Sequence, residues 1–236
     1  METAGYTTLA RQSGLMRELQ IVANNIANAS TSGFRREAMV FSEHVSRLPG
    51  EGSVSMAYGT GRVVDRAQGG LVQTGGTFDL AIQGDAFFLV ATPEGERLTR
   101  SGAFTPSPDG VLVNADGYAL LDAGAAPVPA PVGATTVSIS SDGTLSADGQ
   151  PVAAVGLWQP VEPADLRYQS GTLLQADEWE PAENGTILQG HLEDSNVNPL
   201  TEISRMIEVQ RAYEMGQQFL QSEDQRQKSV LQTLGK

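Results

Sequence analysis

The sequence predicts a mixed, mainly β fold, in which a central antiparallel all-β domain is inserted between long N- and C-terminal α-helices that pair as a coiled coil. Apolar residues recur at helical spacing at both ends, and short apolar runs separated by Asp-Gly turns fill the middle. We therefore divide the chain into a terminal helical coiled-coil domain (1–33 with 196–236), an extended Gly-rich connecting arm (34–77) and a central all-β domain (78–195).

The first helix is predicted over roughly residues 5–29. It ends at the cluster 28–33, because capping and turn residues followed by Gly favour a left-handed exit from a helix. Three further apolar residues, Leu15, Ile21 and Val22, widen its apolar row. The row itself is formed by Leu9, Gln12, Met16, Leu19, Ala23 and Ile26.

The connecting arm is predicted from its glycine content. Residues 48–76 contain eight Gly and show little apolar periodicity, which is typical of an extended or irregular connection. Short strands are predicted within it at Gly61–Arg66 and Gly70–Thr74.

The central domain is predicted from a change of period to two. Its turns are Glu94-Gly95, Asp109-Gly110, Asp116-Gly117, Asp142-Gly143 and Asp148-Gly149, dipeptides that supply the positive φ angles of tight hairpins. Strands separated by such turns every 8–12 residues indicate an antiparallel sandwich or barrel-like domain. The segment Ala123–Ala134, with three Pro, is predicted to be a surface loop. The strand candidates are Leu80–Ile82, Phe87–Val90, Arg97–Arg100, Val111–Val113, Tyr118–Leu121, Thr136–Ile139 and Val152–Trp158.

The second helix is predicted from Ser195 to Leu234, starting at an Asn- and Pro-containing turn that suits a helix N-terminus. A seven-residue spacing gives two adjacent rows, interrupted by the polar residues Glu223 and Gln227. We expect the two terminal helices to pair, because no third helix is predicted; separate packing of each on the β domain is the alternative. The predicted assembly interface comprises Leu9, Met16, Leu19, Ala23, Ile26, Met206, Val209, Tyr213, Leu220, Val230 and Leu234.

Charge is unevenly distributed along the chain, whose net charge is −13. Residues 75–195 carry 17 acidic and 3 basic side chains, whereas the two ends are close to neutral. Neutral ends with apolar rows suit segments that pack on other protein, and scarce Lys and Arg disfavour nucleic-acid binding. The absence of Cys excludes disulfides and thiolate chemistry. Neither a membrane-spanning segment nor a cleavable signal peptide is predicted.

No catalytic, metal or cofactor site is predicted. His44 and His191 are far apart in sequence and lie in no recognisable catalytic motif. The adjacent acids Glu193 and Asp194 are interpreted as turn residues before a helix, where negative charge is favourable. The Asp-Gly turns lack the spacing of a calcium loop, and the Gly59–Gly61 segment lacks the context of a nucleotide loop. We expect no cofactor and no small-molecule substrate.

Five motifs resemble the bacterial flagellar rod and hook protein family, in family order along the chain. They lie at 24–35, 81–88, 98–104, 195–198 and 210–214. Three positions depart mildly from the family pattern: Ala86 replaces the usual Gly, Ser30 a common Asn and Arg35 a common Lys. The residues that carry the resemblance are Asn24, Asn25, Asn28, Gly33, Phe34, Gly84, Asp85, Ser195, Asn196, Asn198, Gln210 and Arg211.

This resemblance implies a structural subunit and not an enzyme. Family members pass through the flagellar export apparatus without a cleavable signal peptide, and then assemble helically with copies of themselves and other rod subunits. The product is a hollow, periplasm-spanning drive shaft that carries torque from motor to hook, with no direct membrane insertion. Chain length and the inserted β domain exclude the short rod members, which lack that domain, and the much longer hook protein. The sequence around the first helix and the compact β domain are more similar to the proximal rod members, with the distal rod as the alternative. A soluble adhesin or carbohydrate-binding module and an enzyme with an unrecognised acidic site are the rival classes.

Overall fold

A computed structural model describes residues 2–47 and 53–234, with side chains at 8–40, 61–230 and 232. The chain forms two compact units. The first, which we call the helical unit, comprises Met1–Ala27, Glu37–Val63 and Asn198–Lys236. The second, the β unit, comprises Asn28–Arg36 and Val64–Val197.

The helical unit contains two helices and a two-stranded sheet. The helices are α1 (Glu2–Ala27) and α2 (Pro199–Leu234), and they contact each other. The strands are β1 (Glu37–Arg47) and β2 (Ser53–Val64), the last residue of which belongs to the β unit. The two long terminal helices predicted from the sequence are thus confirmed.

The predicted three-part division differs from these units. Most of the predicted arm forms β1 and β2, and its last part, 64–77, groups with the β unit. Residues 28–33, assigned from the sequence to the helical domain, also belong to the β unit. Whether the predicted boundaries mark independently folding domains stays a prediction.

The β unit is built from sixteen short strands and one turn of 3₁₀ helix at Pro163–Asp165. Its largest sheet has seven strands in the order β14-β15-β6-β5-β9-β8-β7, and β10-β11-β12 form a second sheet. The pairs β13-β16, β17-β4 and β18-β3 complete the unit, and its paired strands run antiparallel, as predicted. The strands are β3 (Leu71–Gln73), β4 (Leu80–Gln83), β5 (Phe88–Thr92), β6 (Gly95–Thr99), β7 (Thr105–Pro106), β8 (Leu112–Val113), β9 (Ala119–Leu120), β10 (Val137–Ile139), β11 (Thr144–Ala147), β12 (Gln150–Ala154), β13 (Trp158–Pro160), β14 (Arg167–Ser170), β15 (Leu173–Gln175), β16 (Trp179–Pro181), β17 (Thr186–Gln189) and β18 (His191–Glu193).

The predicted hairpin turns are confirmed by their backbone angles. The Gly of each of the five turn dipeptides has a φ between 78° and 106°. A side chain strains this left-handed region, so glycine at these positions fixes where one strand ends and the next begins.

The core of the β unit consists of two apolar clusters, and residues 87–90, at the start of β5, contribute to both. Phe88 and Val90 contribute to one cluster, whereas Phe87 and Leu89 contribute to the other. Successive side chains of an extended segment point to opposite faces, so this segment is buried on both sides. That is why its sequence is an unbroken apolar run and not an alternation of apolar and polar residues.

The prediction of a surface loop at Ala123–Ala134 is wrong for its middle. Val128 is completely buried in the core, and its N–H donates to the carbonyl of Leu120 at 2.8 Å. The N–H of Ala130 donates to the carbonyl of Gly110 at 2.8 Å. The prolines occupy the alternate positions, so the missing N–H groups are not those that bond the neighbouring strands.

Replacement of Val128 by Ala should lower the free energy of unfolding of the β unit by about 2 kcal/mol, since it removes buried methyl groups and leaves a cavity. Val132 is 77% exposed in the same segment. The change Val132→Ala should therefore alter stability by less than about 0.5 kcal/mol. Denaturant unfolding followed by tryptophan fluorescence reports on this unit, because both tryptophans belong to it. Equal effects of the two substitutions would contradict the assignment.

Candidate functional site: helix faces and signature residues

One face of α1 lies against α2 in the helical unit. Leu15 and Val22 on α1 are buried, as is Val209 on α2. The buried residues of α1 also include Gln12, Glu18 and Asn25, which lie on the same face at helical spacing.

Polar contacts fix the register of the two helices. The Arg205 guanidinium binds the Glu18 carboxylate, with Nε 2.7 Å and Nη2 2.5 Å from Oε1. Hydrogen bonding to Glu18 raises the pKa of Arg205. One to two turns towards the N-terminus of α1, the amide of Gln12 donates to the backbone carbonyl of Tyr213 at 3.4 Å. The polar interruption that the sequence shows at Gln12 is thus a contact between the helices.

A groove of about 300 Å³ opens between the helices beside this contact. Gly216 is one of its lining residues, and a Cβ there would lie 3.1 Å from the Gln12 amide nitrogen. The lining residues are Thr8, Arg11, Gln12, Leu15, Ala212, Met215, Gly216 and Phe219.

The predicted interface residues are only partly covered in the single chain. Val209 is buried, whereas Leu19, Ile26, Met206, Tyr213 and Leu220 are half-buried. Leu9, Met16, Ala23 and Val230 are exposed, and the side chain of Leu234 lies outside the described residues. The buried face of α1 is thus rotated away from the predicted row, and the assembly role of these residues stays a prediction.

A second apolar row lies on the exposed side of α2 near its start. Leu200 is 78% exposed, and Ile203 and Ile207 are each 45% exposed. Their spacing of three and four residues places them on one face of the helix, well away from the Val209 face.

A buried amide joins three segments of the helical unit. The Asn25 side chain donates to the Glu37 carbonyl at 2.9 Å and to the Glu202 carboxylate at 3.1 Å. It also accepts the Glu37 N–H at 2.9 Å. The Asn198 side chain caps α2 by accepting the N–H groups of Leu200 and Thr201. Both signature asparagines therefore satisfy backbone groups.

The carboxylate of Glu37 is buried close to this amide. Burial raises its pKa, and Arg62, whose Nη1 lies 3.8 Å from Glu37 Oε2, opposes that shift. The Arg62 side chain is itself half exposed, so its charge only partly offsets the loss of water around the carboxylate.

In the β unit, the turn at Gly33 and Phe34 is held by close packing. Gly33 has a φ of 75°, and a Cβ there would lie 2.3 Å from the Ser101 nitrogen. Phe34 stacks on Tyr168 with ring centroids 4.9 Å apart. The Tyr168 hydroxyl accepts the Arg35 N–H at 2.7 Å and donates to the Arg35 carbonyl at 2.9 Å.

Glu193 is buried between two guanidinium groups. Its Oε1 lies 2.8 Å from Arg35 Nη2, and its Oε2 lies 2.6 Å from Arg100 Nη2. Burial lowers the pKa of Arg35 and brings that of Arg100 to about 10, while the charge of Glu193 acts in the opposite direction on both. The interpretation of Glu193 as a turn acid that favours a helix N-terminus is wrong, because it ends β18 and is paired inside the unit.

Three backbone carbonyls next to this cluster accept hydrogen bonds from Arg100. Its guanidinium donates to the carbonyls of Ile82 at 3.0 Å, Gly84 at 2.8 Å and Ala86. Signature residue Gly84 therefore supplies a backbone acceptor, and Ala86, the departure from the family pattern, supplies another.

Among the other signature residues, Asn28 and Ser195 bond residues close in sequence, whereas Asn196 bonds distant segments. The side-chain oxygen of Asn28 accepts the Thr31 hydroxyl, the Ser195 hydroxyl accepts the Val197 N–H, and the side-chain oxygen of Asn196 accepts the Arg36 N–H. Asn24 is exposed. The charge of the exposed Asp85 acts on the buried guanidinium groups of Arg35 and Arg100 and opposes the lowering of their pKa. Nothing in the structure explains Gln210 and Arg211, which are exposed.

Neither a metal centre nor a membrane span emerges from the parts of the chain that the structure describes. No group of three or more potential ligands converges among them, and neither helix is long and apolar enough to cross a membrane. His191 lies with its Nδ1 2.9 Å from the Gln189 carbonyl, and the side chain of His44 lies outside the described residues.

Sequence reasoning missed five buried charged residues and one half-buried hydroxyl, that of Tyr168. Glu18, Glu37, Arg100, Tyr168, Glu193 and Glu202 make the bonds described above, and none was selected as a candidate. The usable signal was Glu18, a charged residue on the apolar stripe of the first helix, three residues after Leu15 and four before Val22. Arg100 lies inside a recognised motif, but its partner is 93 residues away.

Three family models match the chain. The model described as flagella basal body rod protein matches residues 6–35, and that of the flagellar hook protein FlgE/F/G D1 domain matches 81–147. The model of the flagellar basal body rod FlgEFG protein C-terminal region matches 188–233. These matches include both helical ends and part of the β unit.

Individual relatives extend the similarity over the whole chain. The flagellar basal-body rod protein FlgF of Caulobacter vibrioides is 37% identical over 246 residues, covering 100% of this chain and 99% of its own. That of Mesorhizobium japonicum is 36% identical with the same coverage. The flagellar basal-body rod protein FlgG of Bacillus subtilis is 29% identical, covering 93% of this chain and 94% of its own.

The change Gly33→Ala should destabilise the β unit by about 3 kcal/mol. A residue with a side chain costs roughly 1–2 kcal/mol at this φ, and overlap with the Ser101 backbone adds about 1–3 kcal/mol. Gly75 is a matched control, since its φ is also 75° but no atom lies within 4 Å of its added Cβ. Gly75→Ala should cost only the strain, about 1 kcal/mol. Denaturant unfolding measures both, and equal losses would contradict the close approach at Gly33.

The change Glu37→Gln should stabilise the helical unit at pH 7 and have a diminishing effect as the pH falls towards about 4. Because burial raises the pKa of Glu37, the folded state binds this proton more tightly than the unfolded state, and ionisation above that range costs stability. Thermal unfolding followed by helical circular dichroism at several pH values measures the difference. Glu214→Gln makes the same chemical change at an exposed position of α2 and serves as the control. A gap for Glu37→Gln that widens on acidification would contradict the burial argument.

Proposed function

The chain belongs to the flagellar basal-body rod protein family and is a structural subunit of the rod, and we propose that it forms the proximal part of that rod. The full-length similarity to FlgF proteins carries this proposal, since three of them are 33–37% identical and aligned over 100% of this chain. The FlgG relatives align over 88–93% of the chain at 29–32% identity.

We propose that α1 and α2 pair as a coiled coil that lines the inside of a hollow shaft. The apolar face at Leu15, Val22 and Val209 and the pairing of Glu18 with Arg205 support this role. At about 1.5 Å per residue, the 36 residues of α2 span roughly 54 Å. A helix of this length offers far more surface than α1 covers, which suits a subunit that packs on others.

The exposed apolar rows are the proposed contacts with sister molecules. Leu9 and Met16 on α1, and Leu200, Ile203 and Ile207 on α2, remain exposed in the single chain. Apolar side chains repeated on one helix face are stabilised when another helix covers them. The two ends are nearly neutral, so bringing copies together there involves little charge repulsion.

The β unit is the proposed outer part of the subunit. Residues 75–195, which make up most of it, have a net charge of −14, so their exposed surface favours water and resists unspecific association. The partners that we propose are copies of this chain and other rod subunits, in a shaft that carries torque across the periplasm. Export through the flagellar export apparatus without cleavage of a signal peptide belongs to the same proposal, as does the lack of any catalytic activity.

Deletion of the chromosomal copy tests the rod role directly. Cells without this protein should lack hooks and filaments and should not swim, and a plasmid copy should restore all three. Swimming cells with complete basal bodies in the deletion strain would contradict the proposal. Mass spectrometry of the protein in purified rods should give the mass of the uncleaved chain.

The position along the rod distinguishes proximal from distal placement. Similarity to FlgG proteins keeps the distal rod as the second candidate. In purified basal bodies, an antibody label on an epitope inserted at the Gly171 turn should lie far from the hook end. A label next to the hook would support the distal assignment instead.

The change Ile207→Asp should prevent rod assembly and leave the isolated chain as stable as wild type, since this side chain is 45% exposed in the monomer. A charge on a face covered by a sister helix would be buried without a partner and would cost several kcal/mol. Gln217→Asp adds the same charge at an exposed position of α2 that is already polar, and should assemble normally. Thermal unfolding and counts of basal bodies measure the two effects. Normal assembly of Ile207→Asp would contradict the role of this row.

A further inference from the structure

The chain passes between its two units at four points, after Ala27, Arg36, Val63 and Val197. Three of these crossings adjoin one hydrogen-bonded cluster in the β unit, which we call the collar. The collar consists of residues 33–36, 65–70 and 193–196. Each of its three segments leads within two residues to a crossing.

The first and third segments of the collar are bonded along their length. The N–H of Gly33 donates to the Glu193 carbonyl at 2.7 Å. The N–H of Arg36 donates to the side-chain oxygen of Asn196 at 2.6 Å, and the N–H of Asn196 lies 3.4 Å from the Phe34 carbonyl. These two segments continue into β1 and α2.

Asn196 also bonds the middle segment. Its side-chain NH₂ donates to the carbonyls of Asp65 at 3.1 Å and Ala67 at 2.8 Å. The Asp65 N–H in turn donates to the Arg36 carbonyl at 2.8 Å. The Asn196 side chain therefore bonds the backbone next to two of the three crossings that adjoin the collar.

Glu193 links the collar to the core of the β unit. Its Oε1 accepts the Gly69 N–H at 3.0 Å and pairs with Arg35, whose guanidinium also donates to the carbonyls of Arg66 and Ala67. Its Oε2 pairs with Arg100, which bonds the buried backbone around β4. Charge-assisted bonds of this kind are the strongest among side chains.

We infer that the collar is the joint that carries mechanical load between the terminal segments and the body of the β unit. Rotation of a shaft pulls on the segments that connect the parts of each subunit. Where the segments are bonded to one another, a pull on one is shared by all three and passes through Glu193 and Arg100 into the core. If the three segments were not hydrogen-bonded to one another, each would detach under load by itself, with its hydrogen bonds breaking one after another. This inference rests on the proposed function as a rod subunit.

The substitution Asn196→Asp tests the inference. It keeps the oxygen that accepts the Arg36 N–H, and it replaces two donated hydrogen bonds by a carboxylate oxygen facing the Asp65 and Ala67 carbonyls. Asn184→Asp makes the same chemical change at an exposed position of the same unit and serves as the control. In the purified full-length chain, amide hydrogen exchange at residues 34–36 and 65–67 should accelerate about tenfold in Asn196→Asp and remain unchanged in Asn184→Asp. Unchanged exchange in both would overturn the collar.

The load-bearing role is measured in cells of the deletion strain that carry each variant. Both variants should build basal bodies, hooks and filaments in wild-type numbers and swim equally in dilute medium. In a viscous polymer solution, the Asn196→Asp cells should shed filaments with broken rods and lose motility, whereas the control cells should not. Equal performance under viscous load, or a failure of Asn196→Asp to assemble rods at all, would overturn the inference. A deletion strain that still swims would instead reject the rod role itself.

A second variant guards against misfolding of the first. Tyr168→Phe keeps the ring that stacks on Phe34 but loses the hydroxyl that bonds both backbone groups of Arg35. It should show the same sensitivity to viscous load with normal assembly in dilute medium. Load resistance equal to that of wild type in Tyr168→Phe would also count against the collar.

Discussion

A carboxylate buried together with two guanidinium groups stabilises a fold only when every charge is paired and the remaining polar atoms are hydrogen-bonded. Glu193 meets the first part of that condition, because Arg35 pairs with one oxygen and Arg100 with the other, whereas the Arg35 Nε is buried without a hydrogen-bond partner among the described residues. Loss of one partner would leave a buried charge uncompensated, so the positions of all three segments are mutually constrained. The turn at Gly33, the irregular segment at Gly69 and the residues that lead to α2 each lie where this cluster requires them.

The same principle organises the helical unit on a smaller scale. Asn25 is fully buried and bonds both the start of β1 and the carboxylate of Glu202 on α2. The ion pair between Glu18 and Arg205 then fixes the axial register of α1 relative to α2. Apolar contacts are not directional, so buried polar groups are what select one register among several of similar apolar area.

A rod subunit must fold in a defined way and yet keep surfaces for its neighbours. We propose that different faces of the same helices meet the two requirements. The face at Val22 and Val209 is covered within the chain, whereas the row at Ile203 and Ile207 is exposed in the single chain and is our proposed contact with another subunit. In the load-bearing role that we propose for the collar, its hydrogen-bonded segments would supply the stiffness that flexible connections lack.

The sequence by itself determined the periodicity of the apolar residues and the positions of the turns. These gave two long helices, strands between Asp-Gly turns, and the family motifs at both ends. These are local properties, because helical spacing and the positive φ of Gly act over a few residues. Only the tertiary structure decided which face of α1 is buried, because the residues in line with Leu9 and those in line with Leu15 and Val22 have equally good helical spacing. It also decided that Val128 belongs to the core and that Glu193 lies between Arg35 and Arg100. Residues so distant along the chain come into contact only when the whole unit has folded, so no local sequence pattern predicts the contact.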